Sequence, residues 1–195
     1  MMENNMLLDW NYVKKNVRAG LRPHLEENAV TMKFQDLDIF FYIPCYIGLA
    51  HVNSEMFAMY GVSLDELFDI AMENTMADIA IKDMRQVIIE LSGGDPDDFD
   101  MLPGYPQQLV ITSTDKYYGA VGMISGKIME KACRKLNTDK VYILPSSVHE
   151  VIVVSAENID VADLENMVRD INASIVDDRD RLSNYVYMYS NGEWK

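Results

Sequence analysis

Nine consecutive residues, Leu37-Asp38-Ile39-Phe40-Phe41-Tyr42-Ile43-Pro44-Cys45, constrain this chain more than any other stretch. They are rich in aromatic and β-branched side chains and read as a buried strand. Tyr46 to Val52 reads as its hairpin partner, and Val30 to Phe34 as a short strand before it. Upstream, residues 6–20 carry Trp10, Val13 and Val17 at helical spacing, with Gly20 and Pro23 as the stop. Downstream, Asn53 to Tyr60 reads as a short helix closed by Gly61, which takes the left-handed conformation at no steric cost.

Ser63-Leu64-Asp65-Glu66 is a capping box. The helix behind it should bury Leu64, Leu67, Phe68, Ala71 and Met72, and a further helix is predicted over 80–91. Ser92 to Asp98 then breaks all periodicity, and the acidic segment continues to Pro106. The second half alternates more cleanly. Leu109–Thr112, Val141–Leu144 and Val148–Val154 read as strands, the last two forming a hairpin about Pro145-Ser146-Ser147. Ala120–Ile124 is either another strand or the lead into a helix capped by Ser125, with Ile128, Met129, Ala132, Cys133 and Leu136 on its apolar face. Val161–Ala173 is amphipathic, with Leu164, Met167, Val168 and Ile171 inward. Tyr185–Tyr189 reads as a last strand before a turn at Asn191-Gly192.

These elements predict an α+β fold, a mixed or antiparallel sheet with helices packed mainly on one face. The expected organisation is a single domain. The alternative within it is two lobes, 1–91 and 107–195, joined by the acidic segment 92–106.

Charge narrows the function classes. There are 31 acidic residues against 17 basic ones, a net charge of -14. Phosphate binding needs clustered Lys and Arg, so bare nucleic acid and an anionic membrane surface are disfavoured partners. Solubility accounts for such a charge, and so does docking on a basic protein. No apolar run approaches membrane-spanning length, and Met1 to Trp10 lacks the pattern of a signal peptide, so a cytoplasmic location is expected. Cys45 and Cys133 read as small buried hydrophobes, with a disulfide left open. The 14 methionines fall at core-like spacing and read as gap-fillers.

No motif assigns a cofactor or a metal. His149-Glu150 is the first place to look for an active site, but neighbours on a strand point to opposite faces. Ser146 and Ser147 stand beside that His without a nucleophile elbow, so His149, Ser146 and Ser147 are the catalytic candidates, with Thr112 nearby. Gly119, Gly122 and Gly126 follow the polar stretch Thr112 to Lys116, yet no Gly-Lys-Ser or Gly-Lys-Thr completes a P-loop; close strand–helix packing explains them better. Asp95, Asp97, Asp98 and Asp100 lack the spacing of a calcium loop. With Asp177, Asp178 and Asp180 they are instead the candidate docking carboxylates, able to imitate a phosphate backbone. Tyr117, Tyr118, Tyr185, Tyr187 and Tyr189 offer interface area, though alternation puts one face of the last group in the core.

Four stretches carry a family likeness: Leu37 to Tyr42, Gly61 to Thr75, Leu144-Pro145-Ser146-Ser147-Val148-His149-Glu150-Val151-Ile152, and Leu182 to Tyr189. By these the chain resembles the domain of unknown function 5688 family of gut Firmicutes and, more distantly, the YtpQ-like proteins of Bacillus relatives. The resemblance implies a fold type and a Gram-positive source, and it implies no activity. The leading expectation is a non-catalytic acidic interaction protein that blocks a basic, nucleic-acid-handling partner, in concrete form an anti-CRISPR-like inhibitor from a phage or mobile element. The alternatives are an enzyme centred on His149 and a housekeeping adaptor.

Overall fold

The computed structural model describes residues 6–24, 29–46, 48–93, 107–145 and 147–195. Contacts divide the chain into two compact units, Met1–Asp78 and Ile79–Lys195. The first unit runs α1 (Trp10–Asn16), β1 (Arg18–Pro23), β2 (Thr31–Phe34), β3 (Leu37–Cys45), β4 (Gly48–His51), α2 (Ser54–Tyr60) and α3 (Leu64–Met76). β3 is the organising strand. It pairs antiparallel with β1 along one edge, and with β2 and then β4 along the other. Its residues from Leu37 to Ile43 are all buried, the behaviour of a strand covered on both faces.

The first helix is shorter than its apolar spacing predicts. Val17 is already extended, and Gly20 and Pro23 lie inside β1 rather than ending a helix. Pairing with β3, Ala19 opposite Phe41 and Leu21 opposite Ile39, overrides the local periodicity. α3 holds this strand: Thr75 Oγ1 accepts from the Ala19 N–H at 2.9 Å. Asn74 Nδ2 donates to the carbonyls of Lys14 and Val17 at 3.1 and 2.9 Å, which ties the end of α1 to α3. The caps follow the sequence: Ser63 Oγ accepts from the Glu66 N–H at 3.1 Å, and Gly61 closes α2 with φ 67°.

The second unit runs β5 (Ile79–Asp83), α4 (Met84–Ser92), β6 (Gln108–Ser113), a 3-10 helix (Gly119–Ile124), α5 (Gly126–Leu136), β7 (Lys140–Leu144), β8 (Glu150–Ser155), α6 (Val161–Ser174), β9 (Tyr187–Ser190) and β10 (Glu193–Trp194). Its sheet has the order β10-β9-β7-β8-β6-β5. Every pair in it is antiparallel. The helix predicted over 80–91 begins only at Met84; residues 79–83 are a strand because Ile79 and Ile81 sit opposite Ser113 and Ile111 of β6. That pairing also places β5 and α4 in the second unit. Residues 120–124 are neither strand nor α-helix but the 3-10 turn, and Ser125 stands at the start of α5 without a side-chain capping bond.

Two glycines let that turn approach the sheet. A Cβ on Gly119 would lie 2.1 Å from the Ser113 backbone nitrogen, and one on Gly122 would lie 2.7 Å from Ile111 Cγ2. The register puts Ile79, Ile111 and Val151 on this face. The opposite face carries Leu144, Ile152 and Val154, and α6 packs there through Leu164 and Val168. Asn191 and Gly192, with φ 52° and 84°, form the two-residue turn between β9 and β10.

Candidate functional site

Residues 147–149, just ahead of β8, are held from several sides. Ser147 N–H donates to Glu150 O at 3.2 Å, Val148 N–H to Asp180 O at 2.8 Å, and Ala120 N–H to Val148 O at 3.4 Å. Ser146 lies outside the described residues. The structure brings Ser147, Thr112 and His149 together through the His149 backbone. His149 N–H donates to Ser147 Oγ at 3.1 Å, and Thr112 Oγ1 donates to the His149 carbonyl at 3.2 Å. Both hydroxyls address the backbone of His149.

The imidazole is occupied elsewhere. Tyr118 N–H donates to Nδ1 at 3.3 Å. Nδ1 is thereby an acceptor, which assigns the hydrogen of the neutral ring to Nε2. Nε2 faces Asp180 Oδ1 at 3.5 Å. Tyr117 meets the ring edge-on at 5.7 Å and Tyr118 lies tilted at 5.8 Å. A nucleophile and its base need a hydroxyl bonded to a ring nitrogen. Among the described residues no hydroxyl is bonded to this ring, whose contacts brace three loops.

The docking carboxylates divide. Asp95, Asp97, Asp98 and Asp100 lie outside the described residues. Asp177 accepts from Arg179 Nε and Nη2 at 3.2 and 3.3 Å, and this guanidinium holds its carboxyl below the usual carboxylate range. Asp178 lies 2.8 Å from Arg181 Nη2, and Asp180 faces His149. Each of the three carboxylates therefore has a basic neighbour a few residues away or across the brace. Among the tyrosines, Tyr187 and Tyr189 are buried while Tyr117 and Tyr185 are exposed. Cys45 and Cys133 are free thiols, the first half-buried and the second buried. Among the described residues, no group of three or more His, Cys, Asp and Glu could hold a metal ion. Nor is any described helix long and apolar enough to cross a membrane.

Other carboxylates line a second place, with fewer basic partners. An open cleft of about 630 Å³ lies at the C-terminal end of α5, lined by Glu130, Asp139 and Glu157 together with Cys133, Arg134 and Tyr189. Asn137, with φ 52°, ends α5 in the left-handed conformation and turns the chain back, which brings Asp139 to the same cleft as Glu130. Ala156 N–H donates to Lys140 O at 3.0 Å, which sets Glu157 next to Asp139. Arg134 reaches Glu130 only at 3.8 Å. The cleft's potential marks its neighbours. Burial first, then the charge of Asp139 and Glu130, raises the Cys133 thiol. Burial and then Glu130 raise the Tyr189 phenol. Trp194 packs edge-to-face on Tyr189 at 5.3 Å. Three carboxylates and one guanidinium thus line the cleft, which gives it a negative potential. Sequence reading missed it because residues 130, 139 and 157 never cluster along the chain; only the helix stop at Asn137 and the hairpin register unite them.

The frame around these features is a family frame. A family model described as Family of unknown function (DUF5688) matches residues 4–191. The chain belongs to that family. All four stretches behind the resemblance fall within the match, whereas the more distant likeness to YtpQ-like proteins gains no support from it. No curated protein and no solved structure matches the chain. In this DUF5688 chain the His149 stretch is the most recognisable part of the likeness, and its geometry is that of a loop clamp. Glu130, Asp139 and Glu157 all lie outside the four stretches.

Proposed function

We propose that this chain is a non-catalytic binding protein whose acidic cleft takes a basic segment of a protein partner. The observation that carries the reading is the convergence of Glu130, Asp139 and Glu157 on one cleft of about 630 Å³. The engagement of both His149 ring nitrogens supports the non-catalytic part. So does the exposed face of α3, where Asp65, Asp69 and Glu73 follow one another at four-residue spacing and none is in an ion pair among the described residues. Like charges at that spacing cost a helix a few tenths of a kcal/mol each, so retaining them needs a use. The narrower form of the proposal is a cytoplasmic bacterial inhibitor, anti-CRISPR-like and carried on a mobile element, that occupies the nucleic-acid groove of its partner. It draws on the surplus of 31 acidic over 17 basic residues.

The test is a titration of the full chain with an arginine-rich peptide, read by tryptophan fluorescence, since Trp194 reports on Tyr189. Binding should weaken by about tenfold or more between low and moderate salt, as exposed charges are screened. The triple variant Glu130→Gln, Asp139→Asn, Glu157→Gln should lose it. Equal affinity of the triple variant and the unaltered chain would remove the cleft from the proposal.

A further inference from the structure

A second feature of the same unit uses different residues and does not depend on the acidic cleft. Along α6, Leu164, Val168 and Asn172 follow at four-residue spacing and are all buried. They face the sheet surface on which Leu144 and Ile152 are cross-strand partners. Packing there is incomplete. Leu144, Ile152, Leu164, Val168, Ile171 and Asn172 enclose about 250 Å³, with Gln108 also at the lining. An engineered cavity of about 150 Å³ lined by aliphatic groups takes benzene. The chamber beneath α6 therefore has room for a single ring with a short substituent.

Asn172 is the informative residue. It is only 2% exposed and sits in an otherwise aliphatic stripe. Its Nδ2 donates to Ser183 O and to Asn184 Oδ1, both at 2.9 Å, which fixes the orientation of the amide. Among the described residues its Oδ1 has no hydrogen-bond partner. Buried acceptors without a donor are uncommon in native proteins, and each calls for an explanation. A buried water is held by two to four polar groups. This lining offers few, while its apolar area is large. A molecule with one donor on an apolar body satisfies both features at once.

We infer that the chamber under α6 is a binding site for a small monohydroxylated apolar molecule, a phenol or a short-chain alcohol, whose hydroxyl donates to Asn172 Oδ1. Recognition is by shape along Leu144, Ile152 and Val168 and by that single hydrogen bond. Met167, half exposed, also lines the chamber with a flexible side chain.

The probes are phenol and toluene, equal in size and different in the donor, added to the full chain. Methyl NMR should show saturable shifts at Val168, Ile171 and Ile152 with phenol. Phenol should bind about tenfold more tightly than toluene, the discrimination worth one well-made hydrogen bond. Asn172→Leu should reverse the order, because the phenol hydroxyl is then buried without an acceptor, while keeping toluene. Should that variant fail to fold, the unaltered chain still decides. Equal binding of phenol and toluene, or shifts that appear only at methyls outside the chamber, overturns the assignment, as does the absence of saturable binding by either probe.

Discussion

Replacing His149 by Ala separates a brace from a catalytic group. In the brace, the ring contributes the acceptor for Tyr118 N–H at 3.3 Å and two ring contacts, at 5.7 Å to Tyr117 and 5.8 Å to Tyr118. Tyr118 is only 6% exposed, so water does not readily replace the lost acceptor. An orphaned buried N–H costs about 1–3 kcal/mol. Each aromatic contact adds about 0.5–1.5 kcal/mol beyond its area, and contacts within one cluster add less than their sum. The expected loss for His149→Ala is therefore about 2–4 kcal/mol. Urea unfolding measures it as a fall in midpoint at unchanged slope. Amide exchange locates it, since the Tyr118 N–H should lose protection before the strands β7 and β8 do. A change below about 0.5 kcal/mol, within the range of ordinary surface substitutions, would refute the brace and return His149 to the catalytic candidates.

Four further outcomes follow from the same structure. Gly119→Ala should cost about 3 kcal/mol or more, because its Cβ would meet backbone at 2.1 Å and nothing there is a flexible side chain. Gly61→Ala, where φ is 67° in open space, should cost about 1 kcal/mol by urea unfolding. His51 stacks on Phe40 at 5.1 Å, and burial, then Arg22, lowers its pKa. The unfolded chain then holds the proton more tightly, so stability should be full above the ordinary histidine range and fall as pH drops through it toward the folded value. An NMR titration of His51 and a flatter pH profile in His51→Phe check this. Burial raises the Tyr60 phenol, which donates to Leu7 O at 2.9 Å, to about 12. Stability should accordingly fall as pH rises above the ordinary tyrosine range toward that value, and a difference ultraviolet titration against Tyr60→Phe should show one late-titrating tyrosine.

What the sequence made legible was local. The capping box at Ser63, the left-handed stop at Gly61, the buried strand from Leu37 and the turn at Asn191-Gly192 each depend on a few adjacent residues. Their physics needs no distant partner, and the structure places them as expected. The failures share a cause. Val13 and Val17 are both fully buried, but one lies on a helix and the other past its end, because β1 is claimed by β3. Ile79 and Ile81 fit a helical window as well as a strand until Ile111 is known to lie opposite. Short apolar runs do not settle their own period; the pairing partner does.

The same distinction governs the charges. Counting aspartates along 177–180 suggests a strong local field, yet Arg179 and Arg181 are interleaved with them and the structure shows each acid beside a base. Exposed pairs of this kind are worth little in stability, but they cancel potential where it would attract a partner. Net charge per segment, not the number of acids, is therefore the quantity to read, and it points away from the Asp-rich stretch. In the cleft the carboxylates arrive from the middle of α5, the residue before β7 and the second residue after β8. They come with one guanidinium among them, so their fields add. A surplus of acid makes a receptor only where folding separates it from its counter-charges, and that separation is a property of the register of β7 and β8 rather than of composition.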